Sequence, residues 1–321
     1  MTEQACVQWL LERDNFLLLT HVRPDGDTLG SAAALAAALR GLGKTAWLAE
    51  NFGVTETYAG YMQDCYAPTG YVPEHIVSVD IATEDLLPAE FADYRGKVEL
   101  CIDHHPSNTF YADETCLDAS AAACGEVIYR VCALMGVMDA DIARQLYIAI
   151  TTDCGCFQYS NTTPETHRIC AELMTFGNFW QEVNKRCFQT LSLKEIRLQN
   201  RLMESMHFYD GGAIAVSAIS LADLAEFQAT QGDSEELASY ANKIEGVKVA
   251  ATLRQLEQDT WKVSLRTGGN LNATKVCAIL GGGGHSAAAG ASMYHVDEIR
   301  ARELVMNAIR TIMAEDSVSF I

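Results

Sequence analysis

Short apolar runs alternate with amphipathic stretches through the first half of the chain. Residues 16–20, 45–49, 76–80 and 98–103 read as strands, and residues 28–40 between the first two have the spacing of a helix. Strands separated by helices imply a parallel sheet of the α/β class. From residue 121 to about residue 206 the pattern turns almost wholly helical, broken at Pro164 and Gly177, with Leu191, Ile196 and Leu198 on a helix that connects two parts of the chain. The junction falls near residues 188–206. Beyond it, residues 213–219, 247–254 and 260–266 predict strands, followed by a short helix, a glycine-rich loop at residues 281–284 and a terminal helix. This second domain is expected to be smaller and α+β. No internal repeat and no low-complexity segment interrupts the pattern.

Length supports this division, because 321 residues exceed the usual single domain and give each half enough chain for its own core. The 11 cysteines lie in apolar stretches, as at Cys124 and Cys132, with no CxxC spacing and an odd total. They read as buried thiols of a reducing compartment, which predicts the cytoplasm. The opening Met1-Thr2-Glu3-Gln4 has no signal-peptide character and no apolar run reaches a membrane span, so neither secretion nor membrane insertion is expected. A formal net charge of −19 argues against a protein that coats long nucleic acid, whose affinity comes from many lysine and arginine contacts. It leaves a small anionic substrate open, since a bound dication inverts the local sign of an acidic site.

Chemistry-bearing residues gather at predicted strand ends. His21-Val22-Arg23-Pro24-Asp25-Gly26-Asp27 follows the first strand and precedes a helix, at the carboxyl edge where open parallel sheets bind ligands. Asp80 ends the run at residues 76–80, and Asp103-His104-His105 ends the run at residues 98–103. Asp153 follows a helical run, where a loop could return it to the same edge. The first segment, standing alone, reads equally as an ordinary tight turn, and each of the others more often as a turn residue or a helix cap. Together, four carboxylates and at least two histidines at one edge would repel unless cations were present. Two divalent ions would cancel Asp25, Asp27, Asp80 and Asp153, and mixed oxygen and imidazole ligation suits manganese, iron or cobalt better than calcium or thiolate-held zinc. Cys154 and Cys156 lie nearby and are assigned to packing rather than to a soft metal.

These motifs, with Gly30-Ser31, Ser107-Asn108, Thr152-Asp153, Gly155, Gly282-Gly283-Gly284-His285 and Ala288-Ala289-Gly290, resemble those of the DHH phosphoesterase family in its subfamily with a carboxy-terminal DHHA1 domain. The resemblance spans nearly the whole chain. It implies a DHH catalytic domain over residues 1–187, a helical linker over 188–206 and a substrate-binding DHHA1 domain over 207–321, with the active site in the cleft between the two domains. It also implies roles. His21 and Asp25 would hold one ion, Asp27, His104 and Asp153 the other, and Asp80 would bridge both. His105 would face the phosphate and assist the leaving oxygen. Asp103 would orient a ligand histidine, although a cap remains its alternative. Arg266, Gly283, Gly284 and His285 would bind substrate, the glycines through backbone amides that approach an anion closely and the arginine through its bidentate fork. Ser107 and Asn108 would add hydrogen bonds near the scissile group, Asn108 equally by stabilising its own loop. Ser286 and Cys154 depart from residues common in relatives, and the first puts substrate length in question.

Within that family the architecture resembles the NrnA-type bifunctional enzymes. The expected cofactors are two Mn²⁺ ions, with Mg²⁺ or Co²⁺ as substitutes. The expected substrates are short single-stranded oligoribonucleotides and adenosine 3′,5′-bisphosphate, and relatives often form homodimers. Hydrolysis of cyclic or linear signalling dinucleotides is the alternative at the same site. A non-catalytic nucleotide-binding regulator, from a different class, would be expected to have lost a metal ligand, and here the set is complete.

Overall fold

The computed structural model describes residues 1–268 and 271–320. Residues 269, 270 and 321, which fall in the expected second domain, lie outside the described residues. The chain divides into two compact units, Met1–Thr190 and Leu191–Ile321.

The first unit runs α1 (Glu3–Leu11), β1 (Phe16–Leu19), α2 (Gly26–Gly41), β2 (Ala46–Leu48), α3 (Glu56–Met62), β3 (His75–Val79), β4 (Leu100–Asp103) and β5 (Glu114–Leu117). Helices α4 (Cys124–Met135), α5 (Ala140–Asp153), α6 (Pro164–Leu173) and α7 (Trp180–Phe188) complete it. The five strands form one sheet in the order β2-β1-β3-β4-β5, and every pair is parallel. Because successive strand side chains point to opposite faces, β1 splits its apolar residues between two cores. Phe16 and Leu18 pack with Val77, Val79, Leu100, Ile102 and the helices, whereas Leu17 and Leu19 pack with Ile76, Ile81, Leu87 and Phe91. All four residues of β1 are buried, as expected of a parallel strand covered on both faces.

Helix α2 is buried along almost its whole length and is built largely of alanine. Such a helix belongs in the interior, and its small side chains let neighbours come close. At Gly30 a Cβ would sit 2.4 Å from the Gln145 carbonyl oxygen and 3.0 Å from the Ala149 nitrogen, so α2 and α5 meet backbone to backbone. Pro164, expected as a breaker, opens α6 at its first turn beneath a capping box between Thr163 and Thr166.

The second unit runs α8 (Leu193–Glu204), β6 (His207–Tyr209), β7 (Ile214–Ile219), α9 (Leu221–Phe227), α10 (Gln231–Glu235), β8 (Val249–Glu257), β9 (Thr260–Thr267), α11 (Ala273–Ile279), β10 (Gly283–His285), β11 (Ala288–Tyr294) and α12 (Glu298–Glu315). Its six strands form a mixed sheet in the order β10-β11-β9-β8-β7-β6, with β7 and β8 the parallel pair. Val263, Leu265, Ala289 and Met293 pack beneath α11 and α12. Arg302 of α12 is buried, yet its guanidinium donates to the Val216 carbonyl at 2.8 Å, the Ser205 carbonyl at 2.9 Å and Glu298 at 2.9 Å. A charge so placed is stable because each arm has a partner.

Two expectations differ from what is found. Residues 188–206, read as a helical linker, contain α8, whose Leu198 and Leu202 are fully buried with Ile219 and Leu224 of the second unit. The glycine-rich segment, read as a loop, carries β10, which pairs antiparallel with β11 so that His285 faces Ala288. Among the described residues no helix is long and apolar enough to cross a membrane.

The tight contact between α2 and α5 gives a direct test. Gly30→Ala should lower the unfolding free energy by about 1–3 kcal/mol through overpacking. Gly41→Ala, at the end of the same helix with no atom within 4 Å of the added Cβ, should leave it unchanged or slightly raised. Urea unfolding followed by circular dichroism measures both, and equal stability of the two variants would contradict the close approach.

Candidate metal centre

Strands β1, β3 and β4 lie side by side and run the same way, so their carboxyl ends open on one edge. The strand order reverses between β1 and β3, the position at which open α/β sheets form a binding crevice. His21 follows β1, Asp80 follows β3 directly, and Asp103 ends β4 with His104 and His105 after it. Helix α2 begins at this edge: Asp25 is its N-cap, accepting from the amides of Asp27 at 3.0 Å and Thr28 at 3.2 Å, and Asp27 lies in its first turn. Asp153 is the last residue of α5, at the helix end whose carbonyls carry negative potential, so the backbone there favours a cation nearby.

The side chains converge on three overlapping sets: His21, Asp25 and Asp80; Asp27, His104 and Asp153; and Asp80, His104 and His105. His21 Nε2 lies 3.6 Å from Asp25 Oδ1 and 3.7 Å from Asp80 Oδ2. His104 Nε2 lies 3.5 Å from Asp80 Oδ1, 3.7 Å from Asp153 Oδ2 and 3.8 Å from Asp27 Oδ2. These separations exceed the ~2.7–3.2 Å of a hydrogen bond. They match the edge of a coordination polyhedron, since two ligands each about 2.1 Å from one ion at tetrahedral angles stand roughly 3.4 Å apart. The rings are turned for such use. His21 Nδ1 contacts the Val22 carbonyl at 2.9 Å and His104 Nδ1 the Ala121 carbonyl at 3.2 Å, so a proton on Nδ1 leaves each Nε2 lone pair facing the carboxylates.

Electrostatics point the same way. Burial first, and then the neighbouring carboxylates of Asp153 and Asp25, push the Asp27 pKa well above the ordinary range. Asp27 nonetheless accepts three hydrogen bonds, from Ser31 Oγ at 2.9 Å, the Cys124 amide at 2.7 Å and the Gly125 amide at 2.9 Å. Asp80 is 2 % exposed, and its pKa is raised by burial and then by Asp27, Asp25, Asp103 and Asp153. Its Oδ1 is fully enclosed and has no hydrogen-bond partner among the described residues. A buried carboxylate oxygen without a donor, 3.5 Å from His104 Nε2 and 3.5 Å from His105 Nδ1, fits a metal ligand. Asp80 also adopts the left-handed backbone conformation, φ 62°, which turns its side chain at the end of β3.

The DHH family, N-terminal domain, matches residues 15–152, and the DHHA1 domain matches residues 211–314. A bifunctional oligoribonuclease and PAP phosphatase NrnA of Thermus thermophilus is 31 % identical over 294 residues, covering 91 % of this chain and 88 % of that protein. The chain belongs to the DHH phosphoesterase family. A protein of the same name from Bacillus subtilis is 26 % identical over 89 % of this chain and 91 % of its own length. The crystal structure of an exopolyphosphatase-related protein from Bacteroides fragilis superposes with a TM-score of 0.85 at 21 % identity, covering 98 % of this chain and 97 % of that one, which shows a shared fold.

In this DHH protein Asp103, expected to orient a ligand histidine, meets both of the histidines that follow it. Asp103 Oδ1 accepts from His105 Nδ1 at 2.8 Å and from the amides of His104 at 2.8 Å and His105 at 3.2 Å, so the ring it fixes is that of His105. Although burial opposes its charge, His105 and Asn108 hold the Asp103 pKa below the usual range. The Asp103 hydrogen bond in turn raises the His105 pKa. Asn108, expected near the scissile group, is 7 % exposed. Its amide nitrogen donates to Asp103 Oδ2 at 2.7 Å and its oxygen accepts from the Phe110 amide at 2.7 Å, so both ends of the amide brace the loop. Ser107 is exposed in the same loop.

The DHHA1 residues gather among themselves. His285 is paired with Ala288, and Ala288 with Arg266, so all three lie abreast on β10, β11 and β9. Paired residues share a face, which puts Arg266 and His285 about 10 Å apart across a methyl group. Gly282 and Gly284 are demanded by packing, because a Cβ would come within 2.1 Å of the Gly290 oxygen and 2.6 Å of the Ala289 Cα. Gly283 has open space around it and no positive φ, so the fold itself does not require a glycine there. Sequence reading had no access to the backbone amides of Cys124 and Gly125 or the Ala121 carbonyl, since backbone groups carry no residue-type signal.

Removing one charge should have opposite effects with and without metal. In chelator, Asp80→Asn should raise the unfolding free energy by about 1–3 kcal/mol by relieving a buried charge that lacks a partner. With manganese at about a hundredfold over its Kd, the wild-type chain should gain about 2.7 kcal/mol, and the variant should lose most of that gain. Thermal unfolding in both media reads the two signs, and a variant weaker than wild type in chelator would contradict the repulsion described.

Proposed function

We propose that the chain is a two-metal phosphoesterase that hydrolyses short oligoribonucleotides to mononucleotides and releases phosphate from adenosine 3′,5′-bisphosphate. The observation that carries this reading is the convergence of Asp80 with five other ligand side chains, its enclosed Oδ1 having no donor among the described residues. The names and near full-length coverage of the Thermus and Bacillus relatives support the substrate class. His21 and Asp25 would hold one ion, Asp27, His104 and Asp153 the other, and Asp80 would serve both. Oxygen and imidazole donors favour Mn²⁺, with Mg²⁺ or Co²⁺ as substitutes. The eleven free cysteines fit a reducing cytoplasm, and the −19 charge fits a short substrate rather than long nucleic acid.

Divalent ions bound there supply positive charge to the phosphoryl oxygens and lower the pKa of attacking water. The chain's own residues do the rest. Asp103 holds His105 by Nδ1 and raises its pKa, which favours the protonated ring that can give a proton to the leaving oxygen. The side chain of His105 is 39 % exposed, so it can reach a bound phosphate. Arg266 offers a bidentate fork to phosphate, while the Gly283 and Gly284 backbone and His285 bind the rest of the nucleotide. Ser107 adds a hydroxyl in the loop after His105.

Phosphate and nucleotide release from adenosine 3′,5′-bisphosphate and from a labelled RNA dinucleotide, with manganese present, tests the reading. Turnover of both is expected, with loss in the Asp103→Ala/His104→Ala double variant. His105→Ala should lower kcat by about 10²–10⁴-fold while manganese binding persists. Cleavage of the dinucleotide alone would redirect the assignment to signalling dinucleotides, and turnover of neither would sink it.

A further inference from the structure

The segment from Ala121 to Gly125 is a strap that holds two of the ligand side chains through its backbone. The Ala121 carbonyl meets His104 Nδ1 at 3.2 Å, and the Cys124 and Gly125 amides donate to Asp27 at 2.7 and 2.9 Å. The strap is itself held from two sides. Glu126, 2 % exposed, accepts from the Ala122 amide at 3.3 Å and from Thr166 Oγ1 at 2.6 Å, which ties the strap to the start of α6. On the other side stands Asn161, in the turn between α5 and α6. Its Nδ2 donates to the Ala122 carbonyl at 2.9 Å and the Asp153 carbonyl at 3.2 Å, and lies 3.4 Å from Asp153 Oδ2. Three oxygens around one nitrogen fix the amide's orientation, because the flipped amide would place oxygen against oxygen.

Asn161 therefore touches, directly or through the strap, every member of the Asp27, His104 and Asp153 set. It reaches Asp153 by its own amide, and His104 and Asp27 through neighbours of Ala122 one and two residues away. The His21 and Asp25 side is held by other groups: the Val22 carbonyl, the amides of the first turn of α2, and Asn51, whose amide donates to the His21 carbonyl at 2.9 Å. Residues that orient metal ligands typically change affinity by about 10–100-fold when removed.

We propose that Asn161 is the positioning residue of the Asp27–His104–Asp153 ion, setting the affinity of that ion separately from its neighbour. This rests on the two-metal reading above. Manganese titration of the chelator-treated full chain, followed by calorimetry and by the paramagnetic signal of free Mn²⁺, tests it on wild type and Asn161→Ala. Two binding steps are expected in wild type. In the variant one step should weaken by about 10–100-fold and the other should stay in place. Urea unfolding in chelator separates this from a general loss of structure, and Asn161→Ser, a small polar filler for the same turn, carries the titration if the alanine variant does not fold. Unchanged affinity for both ions, or an equal loss of both, overturns the role of Asn161 and leaves the two-metal reading standing. A wild-type chain that takes no manganese overturns the metal reading and this inference with it.

Discussion

Repulsion among buried carboxylates is the constraint around which the first unit is built. Asp27 and Asp80 are almost completely enclosed, and both face Nε2 of the same histidine. A domain's net stability is only about 5–15 kcal/mol, and an unpartnered buried charge costs several kcal/mol, so a cluster of this kind must be compensated. The protein compensates unevenly. Asp27 receives a hydroxyl and two backbone amides, whereas one oxygen of Asp80 receives nothing from the described residues. That asymmetry marks Asp80 as the group whose partner comes from outside.

Holding such a cluster together requires a rigid support, and the alanine-rich α2 supplies it. Its N-terminus carries Asp25 and Asp27, and its middle is pressed against α5, whose last residue is Asp153. The contact at Gly30 therefore fixes the spacing between carboxylates that lie far apart in the sequence. Packing density in the helix layer and ligand geometry at the sheet edge are one constraint seen at two places.

Much of this was legible in the residues. β1, β3 and β4 are short apolar runs closed by a histidine or an aspartate, and the strand rule that places their ends together needs no other information. Four strands escaped notice, β5, β6, β10 and β11, and two of them show why. β5, Glu-Thr-Cys-Leu, lies at a sheet edge with little apolar signal, and β10, Gly-Gly-His, reads by composition as a turn because only its pairing with β11 makes it a strand. The physical basis of the different tasks that the resemblance implied for His104 and His105 was also beyond reach. They are adjacent in sequence, and what separates them is that one ring finds a backbone carbonyl and the other finds Asp103.

The left-handed main chain at Asp80 bears on how this position can drift over time. Aspartate, asparagine and glycine visit that conformation readily, and a longer or branched side chain does so at a penalty. Glutamate would keep the charge but suits the backbone poorly and reaches too far. Asparagine and glycine suit the backbone but discard the charge. The two demands overlap at a single residue type, so a descendant of this chain released from its chemistry would be expected to carry asparagine or glycine here, a change that keeps the fold while recording the loss.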